Sequence, residues 1–220
     1  LVRGAISSAC ATIVVVLVFW FALQNKPGWY RPAELDEIGL ADARREATTA
    51  ADLFSDQLVR RKPFDFVLES EAVTRWLGAV REIAPEIAGH VPPELSAPAV
   101  SFADGATRVG IHLESKGWRI IASALVSAAV SEAGRSIDLK IAELCGGSLP
   151  LPRAVVMRVL GGAGGDGVKV LQHGDFVTIA DLLNGIRIRN EFVWPNGKRR
   201  FRIGHIVATD GKLQLRIEPM

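Results

Sequence analysis

Cysteine is almost missing from this chain. Its 220 residues hold Cys10 and Cys145 and no third, which leaves no cysteine set for zinc and no C-x-x-C redox pair. Cys10 lies inside an apolar run, so a disulfide between the two is not expected. Histidine is equally sparse. His90, His112, His173 and His205 have no second His, Cys or carboxylate at a ligand spacing such as H-E-x-x-H. The G-x-S-x-G nucleophile elbow is missing as well. Carboxylate pairs such as Glu69 and Glu71 fall at a helix start, where negative charge is favourable without any catalytic purpose. These absences predict no metal, no cofactor and no catalytic residue, and they point away from an enzyme.

One motif looks chemical at first sight. Gly162-Ala163-Gly164-Gly165-Asp166-Gly167 fits G-x-G-x-x-G. A pyrophosphate needs a strand before that loop and a helix N-terminus after it. Here the pattern places a helix before and a strand after, and no Lys-Ser or Lys-Thr follows, so the segment reads as a loop.

Charge is what the N-terminal region lacks. Ala5 to Leu23 is nineteen residues without a formal charge, roughly 28 Å as a helix and close to the hydrocarbon thickness of a bilayer. A buried core helix would carry a polar stripe, and this run has none. Trp20, Trp29 and Tyr30 fall at or beyond its C-terminal end, where aromatic rings favour the interface. A cleaved signal peptide would have a shorter apolar run followed by small residues at the cut. The expectation is a retained single-pass anchor over residues 1–27. A short N-terminal tail stays inside and the large C-terminal part is exported, which places it outside the cytoplasmic membrane.

Residues 28–62 read as a linker and an amphipathic helix, and 63–220 as a soluble α+β domain. Ala43, Ala47, Ala50, Phe54 and Leu58 recur at helical spacing. Phe64 to Leu68 alternates as a strand. Ser70 is placed to cap a helix with Val73, Trp76, Leu77 and Val80 on its apolar face. Prolines from His90 to Pro98 predict irregular chain. Asp104-Gly105 signals a hairpin before Val109, Ile111 and Leu113. Trp118 to Ser131 is apolar on both parities, as in a strand covered on both sides, although its alanines leave a helix open. Ile137, Leu139 and Ile141 give a cleaner strand. Leu149-Pro150-Leu151-Pro152 breaks the sheet, and Pro152 suits the first turn of a helix through Ala154 to Leu160. Val168 to Leu171 reads as a short strand and Ile179 to Leu183 as a short helix.

The C-terminal region predicts a three-stranded antiparallel meander. Ile186, Ile188, Phe192 and Trp194 form its first apolar row, Phe201, Ile203 and Val207 its second, and Leu213, Leu215 and Ile217 its third. Asn196-Gly197 and Asp210-Gly211 are the turns. The opposite face of that meander collects Arg187, Arg189, Arg200, Arg202, Lys212 and Arg216, with Lys198 and Arg199 at the turn. Overall charge is split in the same sense. Arg31 to Glu114 carries 9 basic and 15 acidic residues, and Leu151 to Met220 carries 11 and 6. A basic sheet face beside a membrane suits anionic headgroups, at on the order of 1 kcal/mol per charge near the surface. It lacks the aromatic interleaving of a nucleic-acid site, so nucleic acid is not an expected partner.

Three segments carry a family likeness. Glu71-Ala72-Val73-Thr74-Arg75-Trp76-Leu77 follows a short strand, Asp104-Gly105 opens a hairpin, and Gly146-Gly147-Ser148-Leu149-Pro150-Leu151-Pro152 follows the third long strand. Phe64 to Leu160 thereby resembles YpmS-type proteins, bacterial proteins with an N-terminal anchor and an extracytoplasmic domain. Where that family has Asn, Thr74 stands here, and a second glycine precedes the Leu-Pro-Leu-Pro step. More loosely, a helix held by long antiparallel strands is similar to the tubular lipid-binding folds of the BPI and LmeA type. That likeness implies a curved antiparallel sheet packed with one or two helices and an apolar groove between them, with Phe66, Trp76, Leu77, Trp118, Ile120 and Val126 as lining candidates. The implied function is a non-enzymatic, membrane-anchored envelope protein that binds lipid or another apolar component. The alternative is a scaffold module for other envelope proteins.

Overall fold

The computed structural model describes residues 20–88, 95–115, 118–154, 156, 169–170, 178–195 and 199–220. The glycine-rich motif at 162–167 and the Asn196-Gly197 turn lie outside the described residues. So does most of the expected membrane span. Of that span residues 20–23 are described, in a helical turn that ends at Gln24. Among the described residues no helix is long and apolar enough to cross a membrane.

The chain is α+β with mostly antiparallel strands and few helices. Helix α1 (Glu37–Val59) begins where Asp36 accepts the Gly39 N–H at 2.7 Å, satisfying one of the free first-turn donors. It buries Ala43, Phe54 and Leu58, the stripe that its spacing predicts. Strand β1 (Phe64–Glu69) turns Phe64, Phe66 and Leu68 inward. Helices α2 (Ser70–Gly78), α3 (Val80–Ile83) and α4 (Pro85–Ala88) follow. Four long strands come next: β2 (Leu95–Ala103), β3 (Ala106–Ser115), β4 (Trp118–Val130) and β5 (Ser136–Gly146). Then come β6 (Leu149–Pro150), β7 (Lys169–Val170), helix α5 (Ile179–Asn184), β8 (Ile186–Arg189), β9 (Phe192–Val193), β10 (Arg200–Thr209) and β11 (Lys212–Pro219).

Several expectations need correction. A single curved antiparallel sheet is replaced by two sheets. One has the order β1-β11-β10-β9. The other has β2-β3-β4-β5-β8-β7, with β6 folded back on β5. Its β7–β8 pair is parallel. The predicted meander is therefore divided, because β8 pairs with β5 whereas β9 pairs with β10. Alternation alone cannot see this, since Ile186 and Ile188 are as apolar as Phe192 and Trp194. Chain expected to be irregular up to Pro98 is strand from Leu95. Pro98 is tolerated there because β2 is an edge strand and its register shifts between Ser96 and Ala99. The Trp118–Val130 segment is strand, with every residue from Ile120 to Ala128 half-buried, as a strand covered on both faces requires. Ser70 does not cap α2. Its hydroxyl accepts the Phe102 N–H at 2.9 Å instead, and the cap position is Glu69.

Two apolar clusters hold the layers. Phe54, Leu58 and Ile217 join α1 to the first sheet, with Phe64, Phe66, Trp194, Phe201, Ile203 and Leu215 packed around them. Val100, Phe102 and Ala208 join the two sheets, with Leu68, Val73, Leu77, Val109 and Leu213 around them. Two buried polar side chains complete the joint. Thr74 exchanges hydrogen bonds with the backbone of Val100, donating to its carbonyl at 3.3 Å and accepting its N–H at 2.9 Å. Asn190 sits where the chain leaves the second sheet for the first. Its amide donates to Gly134 O at 2.9 Å and Ile203 O at 2.7 Å, and its carbonyl accepts the Ile203 N–H at 2.8 Å.

Truncating Asn190 would leave three backbone groups without partners in a buried place. Each costs about 1–3 kcal/mol if unsatisfied. Asn190→Ala is expected to lower the unfolding free energy by about 3 kcal/mol and the melting temperature by roughly 10 °C. Urea and thermal denaturation would check this, and a loss within experimental error would remove Asn190 from its role as the joint.

Candidate functional site

Between α1 and the first sheet lies an apolar groove of about 360 Å³. The helix contributes Ala47, Ala50 and Ala51, whose short side chains leave space that leucines would fill. The floor is aromatic. Phe54 is its hub, with ring centroids at 4.9 Å from Phe66, 5.3 Å from Phe201 and 4.7 Å from Trp194, the last stacked. Phe192 stacks on Phe201 at 5.5 Å. Ile203, Leu215 and Ile217 complete the sheet side, and Trp76 closes the α2 side. The Trp76 indole N–H is buried and has no acceptor among the described residues, whereas a buried Trp N–H usually finds one. The volume is at the low end for small-molecule sites, enough for one acyl chain or ring system and too small for a whole phospholipid.

A second groove of about 870 Å³ runs on the other side of Trp76. Charged groups line it, and they are already paired: Arg45 with Asp42 at 2.6 Å, and Arg75 with Glu46 at 2.9 Å. The bond from Glu46 raises the Arg75 pKa further. Its lining mixes these ion pairs with apolar side chains such as Leu35, Leu53 and Val67.

The six lining candidates separate. Phe66 and Trp76 meet in the aromatic groove. Leu77 packs in the other cluster, against Val100, Phe102 and Ala208. Ile120, opposite Leu113, and Val126, opposite Thr107 and Ile141, belong to the second sheet. Trp118 opens β4 opposite Ser115, and its side chain lies outside the description. Sequence reasoning missed Phe54, Phe192, Trp194 and Phe201 as lining. Each was legible as an apolar position, but nothing in the spacing joins residue 54 to residues 192–201.

The basic residues are arranged differently from the expectation. Arg187 and Arg189 stand on β8 in the second sheet, and Arg200 and Arg202 on β10 in the first. Each of the six has an acidic partner. Arg187 meets Asp138 at 2.6 Å, Arg200 meets Glu191 at 2.9 Å, and Arg189 meets the same Glu191. Arg202 meets Glu218 at 2.6 Å, Lys212 meets Glu69 at 3.4 Å and Arg216 meets Asp65 at 3.2 Å. Asp65–Arg216, Glu69–Lys212 and Asp138–Arg187 are directly opposed in register, so these faces are cross-strand ion-pair rows with little net charge.

Cys145 on β5 is the one cysteine among the described residues. Burial first, then Glu143, pushes the Cys145 thiol up, away from the thiolate a nucleophile needs. Among the described residues no three His, Cys, Asp or Glu side chains could hold a metal ion together.

The Arg187 hydrogen bond holds the Asp138 carboxyl below its usual pKa. A depressed carboxylate contributes stability above its unfolded pKa, and that contribution is lost as pH falls through the folded value. Asp138→Asn is therefore expected to melt slightly below wild type at pH 7, with the gap closing as pH drops below about 4. Melting curves from pH 7 to pH 2 would check the sign, and a gap that widened in acid would refute it.

Comparison with protein-family models, with curated proteins and with solved structures finds no significant match to any, so the reading of this chain rests on its own residues.

Proposed function

We propose that this protein is a non-enzymatic, membrane-anchored envelope protein that takes one acyl chain or apolar ring into the groove beneath α1. The aromatic groove carries the reading. Its wall is built from α1, α2 and both sheet-edge segments that converge on Phe54, and it is almost wholly apolar. An apolar body such as an acyl chain complements that wall. The uncharged run from Ala5 to Leu23 supports a membrane anchor, and the proposal places that anchor in a bacterial cytoplasmic membrane with the domain outside. The paired basic residues give no support to direct headgroup contact by those faces, and headgroups are not part of this reading.

A scaffold role is favoured by a different observation. β1 lies at the edge of its sheet, and Val67 on it is 48% exposed with Leu53 nearby at 60%. An open strand edge with apolar neighbours is a surface that protein partners use.

The two readings separate with a diazirine-bearing fatty acid and the full chain. Photolabelling is expected on peptides that contain Phe54 and Phe192 to Trp194. Ala51→Trp, which fills the groove without adding charge, should cut that labelling at least several-fold. Labelling that ignores Ala51→Trp, or that maps to the β1 edge, would dismiss the groove and favour the scaffold.

A further inference from the structure

The tether between the apolar run and the domain is itself part of the fold. Three glycines are bare where residues 22–30 lie on the second sheet. A Cβ on Gly147 would stand 2.3 Å from Leu23 O and 2.5 Å from Ala22 O. On Gly146 it would meet Leu23 Cδ2 at 2.9 Å, and on Gly110 it would meet the Trp29 and Tyr30 rings at 2.8 Å. Gly147 also has φ +59, a conformation that side chains resist. Hydrogen bonds fasten the same contact. The Ser148 N–H donates to Ala22 O at 3.0 Å and Asn25 Nδ2 donates to Ser148 Oγ at 3.0 Å. Tyr30, the single tyrosine of the chain, is 3% exposed and donates its hydroxyl proton to Ala97 O.

These contacts fix which end of the sheet the anchor meets. Gly146 is opposite Ala122 and Gly147 N–H donates to Ile121 O, a few residues from the β3–β4 hairpin, where Ser115 opposes Trp118. β4 has 13 residues, about 40 Å at strand rise. At its far end is the β4–β5 turn, where Gly134 bonds to Asn190 and Asn190 to Ile203 in the floor of the aromatic groove. On the anchor side, residues 5–19 carry no charge and lead into the docked turn, and Phe21 there remains 68% exposed.

We infer that residues 22–30 are a rigid strut that stands the second sheet on the bilayer, with the β3–β4 hairpin end toward lipid and the aromatic groove held at the opposite end. The inference rests on the anchored reading above. A free linker from Gln24 to Asp36 would reach about 40 Å and let either end touch the membrane. The docked one removes that freedom. The groove is then loaded from the aqueous side and does not dip into the bilayer that holds its anchor.

The test uses the full chain in phosphatidylcholine vesicles with a headgroup-attached acceptor dye. Cys10→Ser and Cys145→Ser clear the background, and a donor is placed at Glu114→Cys near the hairpin or at Glu132→Cys in the β4–β5 turn. Energy transfer is expected to be several-fold stronger from position 114. Gly147→Val, in a chain whose circular dichroism is unchanged, should abolish that difference. Equal transfer from both positions in vesicle-bound wild type overturns the strut, as does a difference that survives Gly147→Val. Wild type supplies a second measurement that needs no variant: the Ser148 amide should exchange slowly, and exchange at the open-chain rate would also overturn the strut. A chain released from vesicles by alkaline carbonate sinks the anchored reading and this inference with it, a failure distinct from equal transfer in a chain that stays bound.

Discussion

The two sheets share no hydrogen-bonded strand pair among the described residues, so a ladder does not set their angle. Asn190 does. Its amide can satisfy two acceptors and one donor at once, and here these belong to the β4–β5 turn of one sheet and to β10 of the other. Its own N–H donates to Arg135 O at 2.9 Å, so backbone and side chain agree on the placement. Glu191, next in sequence, then holds Arg189 on one strand and Arg200 on another. A surface pair is worth little alone, but Glu191 is only 17% exposed in its side chain and stands directly on the crossing. With Asn190 fixed, β9 reaches β10, Trp194 reaches Phe54, and the aromatic floor closes around α1. Thr74 does the corresponding task at the other buried polar position, joining α2 to the edge of β2.

What was legible in the sequence was local period, and it was legible where one face of an element meets the core and the other meets water. The α1 stripe, the β1 alternation, and the β3, β5 and β11 rows are of that kind, whereas the expected β10 row holds at Phe201 and Ile203 and slips at the bulge after Ile203, so that Ala208 and not Val207 turns inward. What failed was partnership. Strand alternation says which side chains turn inward, not which neighbour they turn toward, so β8 and β9 looked like one strand of a single meander. The residue that separates them is polar and buried, a class that hydrophobic patterning assigns to loops. Thr74 was hidden for the same reason, on a helix whose apolar neighbours drew the attention. Of the groove, Phe66 and Trp76 were legible from their places on β1 and α2. Phe54, Trp194 and Phe201 required the tertiary fold.

The charge split along the chain also has a different meaning in three dimensions. An acidic N-terminal half and a basic C-terminal part suggested an outward-facing field. Instead β1 lies beside β11, so Asp65 and Glu69 face Arg216 and Lys212, and Asp138 faces Arg187. The asymmetry is consumed in cross-strand register. It helps to specify pairing, because a slip of one residue would place these carboxylates opposite apolar neighbours and break the inward row of Phe64, Phe66 and Leu68 at the same time.

The groove is the place where close packing stops. Protein interiors have few voids larger than a water molecule. This space is an open groove and not a closed void, so its apolar lining faces water. The three small side chains on α1 keep the space open, where a single Leu at position 47, 50 or 51 would begin to fill it. An open apolar groove over stacked aromatic rings is therefore a surface with a standing drive to be covered, at about 25 cal/mol for each Å² of apolar area removed from water. Its position adds a second constraint. The Asn190 joint puts it beside the β4–β5 turn, and the glycine-cleared dock puts Ala22 and Leu23 toward the other end of β4. On the proposed anchored arrangement, whatever covers the groove arrives from the side that the strut turns away from the bilayer.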